Sequence, residues 1–134
     1  MRTSLLVAAL AVGLVVSYAC RQGHRNAQPG WQVGGLYSIE SDEGDFRVAK
    51  ILALDPGVVG VRIYKQKFVT RPTTIEPSSL TLGSINDSDG FGMGHIPVDE
   101  DGFASWKPQL LLVQTVTADE LDGYPYWKDA QSGR

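Results

Sequence analysis

Cysteine is almost absent from this 134-residue chain, which contains only Cys20. A single thiol cannot form a disulfide within the chain, so packing must hold the fold together. Histidine is nearly as scarce, with only His24 and His95. Because an ordinary zinc site takes most of its ligands from Cys and His, we predict no metal site and no cofactor.

Signature motifs for catalysis and nucleotide binding are also missing. The chain has no Gly-x-Ser-x-Gly, Walker or dinucleotide fingerprint. The run 90–94, GFGMG, superficially resembles a phosphate-binding loop but lacks the following lysine. The acidic turns do not match an EF-hand calcium loop. Aligning Gly90 or Gly102 with the invariant glycine of that loop puts Ile85 or Pro97 where the first aspartate belongs. We therefore expect a protein that is not an enzyme.

Positive charge is in deficit. From Glu40 onward, fifteen carboxylates face nine Lys and Arg, which leaves a formal charge of about −6. Phosphate binding needs a cationic surface, so we expect no nucleic-acid partner. Four cations nevertheless fall within ten residues: Arg62, Lys65, Lys67 and Arg71. We interpret them as a charged edge that resists aggregation, with a local basic patch as the alternative.

The first 19 residues differ from the rest. Arg2 precedes an apolar run from Leu5 to Ala19, a pattern typical of an export signal. Cys20 then stands where bacterial lipoproteins carry their lipid-modified cysteine, although Ser17 and Tyr18 depart from the lipobox. An uncleaved membrane anchor is the third interpretation, since about 17 apolar residues are the lower limit for spanning a bilayer.

These alternatives predict a location in the cell envelope, either periplasmic or anchored in the membrane. With an uncleaved anchor, the domain could instead face the cytoplasm from the inner membrane. Residues 20–30 are polar and without periodicity, which predicts a flexible linker. Residues 31–134 suffice for a single β-rich domain.

A strand meander is predicted between Gly34 and Pro72. Alternating apolar residues mark three strands, and small polar residues with glycine mark the turns between them. The strands are Leu36–Glu40, Phe46–Leu54 and Val58–Tyr64, and the turns are Ser41–Asp45 and Asp55–Gly57. Apolar residues on both faces of the second strand predict a long, bent strand that packs on two sides.

The rest of the chain mixes weak strands, turns and one helical region. Strands are predicted at Thr74–Glu76, Leu80–Leu82 and Leu110–Val116, and a long loop at Asn86–His95. The acidic residues Asp99–Gly102 predict a turn that leads into a short apolar element, Phe103–Trp106. Thr117 to Glu120 form a capping box, which predicts a helix or helical pair from Ala118 to about Ala130.

Aromatic residues are numerous for so small a core, and exposed aromatics are typical anchors of interaction sites. We predict that four residues contribute to binding: Tyr64, Phe91, His95 and Trp106. His95 has a catalytic alternative, in which Asp87, Asp89 or Asp99 would be its partner.

The meander, with its long second strand, its Asp55-Pro56-Gly57 turn and the third strand VGVRIY, resembles small SH3-like or Tudor-like barrels over Gly34–Leu82. The tail, including residues 94–97 and 117–121, is similar to functionally uncharacterised small bacterial proteins. The resemblance implies a small SH3-like barrel, or a meander extended by further strands. Together with the capping box at Thr117 and the apolar run at the N-terminus, it predicts a mainly β fold with a short C-terminal helix and a separate N-terminal hydrophobic helix.

Barrels of this type bind peptides or other ligands and are rarely enzymes. The resulting hypothesis is a non-catalytic interaction module, exported or membrane-tethered, that binds a protein partner. An immunity or inhibitor protein is one version, since an acidic surface suits a basic target. The alternatives are a small envelope enzyme that uses His95 with a nearby carboxylate, and a structural envelope protein.

Overall fold

A computed structural model describes residues 30–133. The predictions for the leader, the N-terminal hydrophobic helix, Cys20 and most of the linker lie outside these residues. From Trp31 onward the chain forms one unit.

The predicted meander is confirmed almost residue for residue. Strand β1 covers Gly35–Glu40, β2 Phe46–Asp55 and β3 Val58–Ile63, each antiparallel to the next. Gly57 adopts a φ of 76° in the turn between β2 and β3, a conformation that costs glycine little.

Two further strands extend the meander on opposite sides. Strand β4, Met93–Asp99, pairs with β3, and β5, Gln109–Val113, pairs with β1. All neighbours are antiparallel, and the order in the sheet is β4-β3-β2-β1-β5. Helix α1, Glu100–Ser105, joins β4 to β5. The prediction of a mainly β fold is therefore confirmed.

One face of the sheet packs around Phe103, which is fully buried. Its ring makes edge contacts with Trp31, Tyr37 and Trp106 at centroid distances of 4.8, 5.9 and 5.9 Å. We call this group, with its buried strand residues, the Phe103 cluster. The strand residues are Tyr37, Ile39, Ala49, Ile51, Val59, Val61 and Ile63.

The opposite face carries a second, smaller group, the Leu36 cluster, built on Leu36, Val48 and Tyr64. Strand β2 contributes to both clusters, as its two apolar faces predicted. Its extra residue opposite β3 is Leu52, and such a bulge bends a strand.

The segment between β3 and β4 covers the Leu36 cluster without forming strands. The predictions at Thr74–Glu76 and Leu80–Leu82 are wrong: the structure has only a 3-10 turn at Pro77–Ser79. Residues 80–82 form single backbone hydrogen bonds and no strand ladder. The Thr81 carbonyl accepts the Lys65 N–H at 2.9 Å, and the Leu82 carbonyl accepts the Gly92 N–H at 2.7 Å. Leu80 and Leu82 instead contribute side-chain packing.

Two predictions around His95 also need correction. The long loop ends at Gly92, and His95 lies in β4, whose position at the edge of the sheet accommodates Pro97. The acidic residues after β4 begin α1 rather than a free turn, because the Asp99 carboxylate accepts the Gly102 N–H at 2.5 Å and caps the helix.

The C-terminal region is the helical pair that the sequence predicted. A 3-10 turn covers Asp119–Leu121, and helix α2 covers Tyr124–Gln131 with Pro125 in its first turn. Glu120 reaches back as a capping box requires, since its Oε1 accepts the Thr117 N–H at 2.9 Å. The Thr117 hydroxyl differs from the prediction, because it donates to the same carboxylate at 3.2 Å.

Candidate functional site

A pocket of about 220 Å³ opens beside the turn between β1 and β2. Ile39 and Ile63 of the Phe103 cluster and the half-buried ring of Trp106 give it apolar walls. The remaining lining residues are polar or charged: Glu40, Ser41, Asp42, Glu43, Arg47 and Lys67. Cavities with apolar walls and polar groups beside them are a common form of binding site.

Trp106 is placed by the end of α1. The buried Phe103 fixes the helix on the sheet, and Trp106 follows as its C-cap. The Trp106 carbonyl then accepts the Glu40 N–H at 2.8 Å, which ties the residue to the end of β1. The Trp106 ring also makes an edge contact with the buried Phe103 ring at 5.9 Å, which gives it a defined position at the pocket wall.

The acidic rim of the pocket is only partly neutralised. Glu40 lies 3.4 Å from Arg71 and 3.5 Å from Lys107, and Glu43 lies 3.0 Å from Lys67. Asp42 is exposed and makes no hydrogen bond or ion pair with any residue in the range 30–133. The rim therefore retains a carboxylate that is open to a cationic ligand.

Arg47 lines the pocket and uses its guanidinium to bond backbone carbonyls. Its Nη2 donates to the carbonyls of Tyr64 (2.7 Å) and Phe91 (3.2 Å), and its Nε donates to Tyr64 at 3.1 Å. These bonds use the guanidinium to fasten the start of β4 to the end of β3. The arginine thus connects these two strand ends and also contributes a cation to the pocket lining.

The four residues predicted to bind do not converge. Trp106 lines the pocket, while Tyr64 is only 8% exposed and belongs to the Leu36 cluster. The Phe91 side chain is 45% exposed and does not line the pocket, although its backbone carbonyl accepts a hydrogen bond from the pocket residue Arg47. His95 packs beneath α2, against Tyr124 and Trp127.

Sequence reasoning missed the other pocket residues, Ile39, Asp42 and Ile63 among them. The available signal was the acidic turn 41–45 after a strand. That turn lies beside Trp106 only because β5, which follows Trp106, pairs with β1, and no local sequence pattern reveals this pairing.

A buried polar network lies on the face opposite the pocket. Lys50 is 1% exposed, and its Nζ contacts Glu120 Oε1 and the Thr115 carbonyl, both at 2.9 Å. Burial raises the pKa of Glu120, but hydrogen bonds from the Thr117 N–H and from Lys50 outweigh it and leave that pKa below its ordinary value. Burial also raises the pKa of Tyr64 nearby, with the Glu120 charge adding to it.

The cluster of cations in residues 62–71 is not a free basic patch. Lys65 bridges Asp87 and Asp89 at 2.9 Å each, and Lys67 pairs with Glu43. Arg71 donates to Ser38 Oγ at 2.7 Å and lies over the Phe46 ring, and Arg62 donates to the Gly94 carbonyl. Three of the four cations are thus paired with carboxylates, and Arg62 donates to a neutral carbonyl, which leaves little free positive charge for a basic patch.

The carboxylates considered as partners of His95 are engaged elsewhere. Asp87 and Asp89 bind Lys65, which together with the Ser84 N–H lowers the pKa of Asp87. Asp99 caps α1. Within residues 30–133, His95 Nε2 is buried without any hydrogen-bond partner. The geometry thus provides no histidine–carboxylate pair for acid–base catalysis in this part of the chain.

Residues 30–133 contain no group of three or more His, Cys, Asp or Glu side chains arranged to hold a metal ion. Nor do they contain a helix whose length and hydrophobicity would allow it to cross a bilayer.

Comparisons of the chain with protein-family models, with curated proteins and with solved structures gave no significant match.

Proposed function

We propose that this protein is a non-catalytic interaction module that binds a protein partner at the pocket beside the β1–β2 turn. Its N-terminal segment would export it to the cell envelope or tether it there. The observation that carries the proposal is the Trp106 ring, held over an apolar pocket whose rim includes the unpaired Asp42. Aromatic anchors beside apolar pockets dominate the energetics of many interfaces.

We also propose that the domain is a small SH3-like barrel. Five antiparallel strands in the order β4-β3-β2-β1-β5, with a bulged second strand and a helical turn before the last strand, support this assignment. Domains of this type bind ligands far more often than they catalyse reactions, although fold alone does not assign function.

The partner presents a basic side chain at the point of contact. The pocket walls accommodate the apolar stem of a lysine or arginine, and the rim carboxylates receive its charge. The charge of about −6 from Glu40 onward favours approach of a basic partner from a distance. An immunity or inhibitor protein that covers a basic target is the version that best fits this charge.

Site-specific photo-crosslinking of the full chain in its host cells tests the proposal. A photo-reactive phenylalanine replaces Lys67 at the pocket, or Tyr126, which is 80% exposed on α2, as the control position. The expected result is a discrete crosslinked partner from position 67 and none from position 126. Equal labelling at both positions would contradict a pocket-centred interface.

Charge reversal then tests the role of the rim. Asp42→Lys should reduce crosslinking from position 67 several-fold, because it opposes a basic partner. Asp129→Lys makes the same change of charge on an exposed residue of α2 and should have little effect. Equal loss in both variants would mean that only overall charge matters.

A further inference from the structure

His95 is held in an unusual environment on β4. Its Nε2 is buried and has no hydrogen-bond partner among the described residues. Gly60 lies directly against that nitrogen, since a Cβ there would be 3.0 Å from it. The Tyr124 and Trp127 rings of α2 pack against the imidazole at centroid distances of 5.9 and 6.3 Å. Helix α2 therefore docks on the sheet over this histidine.

A second contact holds α2 at the β2–β3 turn. Asp55 accepts hydrogen bonds from the Tyr124 hydroxyl at 3.1 Å and from Lys128 Nζ at 2.7 Å. Lys128 Nζ also lies 5.9 Å from the centre of the Tyr124 ring and 5.7 Å from that of Trp127. The two rings that cover His95 thus already interact with a cation.

Protonating His95 in this arrangement is unfavourable because its Nε2 is buried without a hydrogen-bond partner in residues 30–133. Neutral imidazole leaves only an acceptor without a partner, whereas imidazolium would bury an unsatisfied N–H donor together with a charge. Both ring nitrogens become donors on protonation. The buried Nε2–H would then find a hydrogen-bond acceptor only if α2 moved and admitted water.

The other charged groups around His95 do not compensate for its charge. Arg62 on β3 donates to the Gly94 carbonyl, and Glu120 on the 3-10 turn is held by Lys50 and Thr117. Asp119 begins that 3-10 turn and Asp122 is its C-cap, and neither bonds to His95 Nε2. Asp99 on β4 caps α1. Asp55 is bound to Tyr124 and Lys128.

We propose that α2 is a pH-dependent latch, which stays docked on β4 while His95 is neutral and detaches when His95 takes up a proton. This goes beyond the proposed pocket, which lies on the other face of the sheet. Burial lowers the pKa of His95 below its ordinary value of 6.5. A group with a depressed pKa stabilises the docked state above about pH 6.5 and loses that contribution as the pH falls.

Amide hydrogen exchange of the full chain in detergent micelles measures the latch directly. Between about pH 7.5 and about pH 5.5, on either side of the ordinary histidine pKa, protection factors in residues 124–131 should fall several-fold. Those in β1 to β3 should change much less. In His95→Gln, which cannot take up a proton in this range, protection of 124–131 should not vary with pH.

Two results would overturn the proposal: protection of α2 that does not change with pH in the natural protein, or the same pH dependence in His95→Gln. If the variant fails to fold, NMR titration of the natural protein decides, with His24→Gln used to assign the His95 ring signal. Titration of His95 at or above the ordinary value, with α2 still protected, refutes the latch. Titration below it, coincident with loss of protection, supports it.

Discussion

Lys50 Nζ lies 2.9 Å from Glu120 Oε1, and the two side chains are only 1% and 11% exposed. This pair fixes the C-terminal segment to the middle of β2. Substituting Glu120→Gln should preserve the bond to the Thr117 N–H but leave a buried ammonium without its counter-charge. Loss of one partner of a buried pair typically costs about 3–5 kcal/mol, which urea denaturation should detect.

A double variant provides the control. Lys50→Met combined with Glu120→Gln removes the buried charge as well as its partner, so it should be more stable than Glu120→Gln alone. A single variant within about 1 kcal/mol of the natural protein would show that water reaches Lys50 and that the pair contributes little.

Lowering the pH should reduce the stability of the same C-terminal region by protonating two carboxylates, those of Glu120 and Asp55. Burial raises the pKa of Glu120, yet its hydrogen bonds leave it below 4.5, and the Lys128 bond lowers the pKa of Asp55 below 3.8 despite opposing desolvation. Because both folded values lie below the unfolded ones, their contribution is present above about pH 4.5 and lost as the pH falls further.

Urea midpoints between about pH 6 and pH 3 test this, best in a His95→Gln background that removes the histidine contribution. The decline in midpoint should be shallower when Glu120→Gln is added. Parallel declines in the two proteins would show that Glu120 is not responsible for the acid sensitivity.

Asp55→Asn should loosen α2 without unfolding the sheet. The neutral amide keeps the shape but weakens the charge-assisted bond from Lys128. We expect several-fold lower exchange protection in residues 124–131, with β1 to β3 unchanged. Asp129→Asn, an exposed carboxylate on the same helix, is the matched control and should leave protection as it is.

The parts of the fold that the sequence predicted well depend on local signals. Alternation in β1 to β3, the Asp55-Pro56-Gly57 turn and the capping box at Thr117 each lie within a few residues. Strand β4 was harder to predict, because glycine and Pro97 resemble loop residues and only an edge position makes the proline acceptable. Helix α1 was hidden by Gly102, which the Asp99 cap offsets.

The candidate site was less accessible from the sequence, because it is formed by long-range contacts. The pocket needs Trp106 beside the β1–β2 turn, and the Lys50–Glu120 pair joins residues 70 positions apart. One signal was available: Lys50 interrupts the apolar run of β2, and a charge on a strand packed on both faces requires a buried partner. Nothing local identifies Glu120 as that partner.

Phe103→Ala should be the most damaging aromatic truncation near the pocket. The ring is fully buried and contacts Trp31, Tyr37 and Trp106, so its removal leaves a cavity and should cost about 3–5 kcal/mol. Phe91→Ala is the same substitution at a ring that is 45% exposed, and it should cost less than about 1.5 kcal/mol. Similar urea midpoints for both variants would contradict the assignment of Phe103 to the core.

Alanine substitutions at Gly34 and Gly44 distinguish the free-energy cost of backbone strain from the cost of steric crowding. Both have a φ of 86°, a conformation that L side chains rarely adopt. A Cβ at Gly44 meets nothing, whereas one at Gly34 would collide with the Gln114 carbonyl oxygen. The Gly34 backbone also bonds to Ile51 and Gln114, which links β1 to both of its neighbours.

Gly44→Ala should therefore cost only the conformational term, about 1–2 kcal/mol. Gly34→Ala should cost clearly more, because the methyl group must push Gln114 away and weaken the bond from the Gln114 N–H to the Gly34 carbonyl, which is 2.8 Å long. Since Gln114 immediately follows β5, hydrogen exchange should show the added loss of protection in β5 and in residues 114–120. Equal destabilisation by the two substitutions would mean that the end of β5 shifts freely and is not fixed by Gly34.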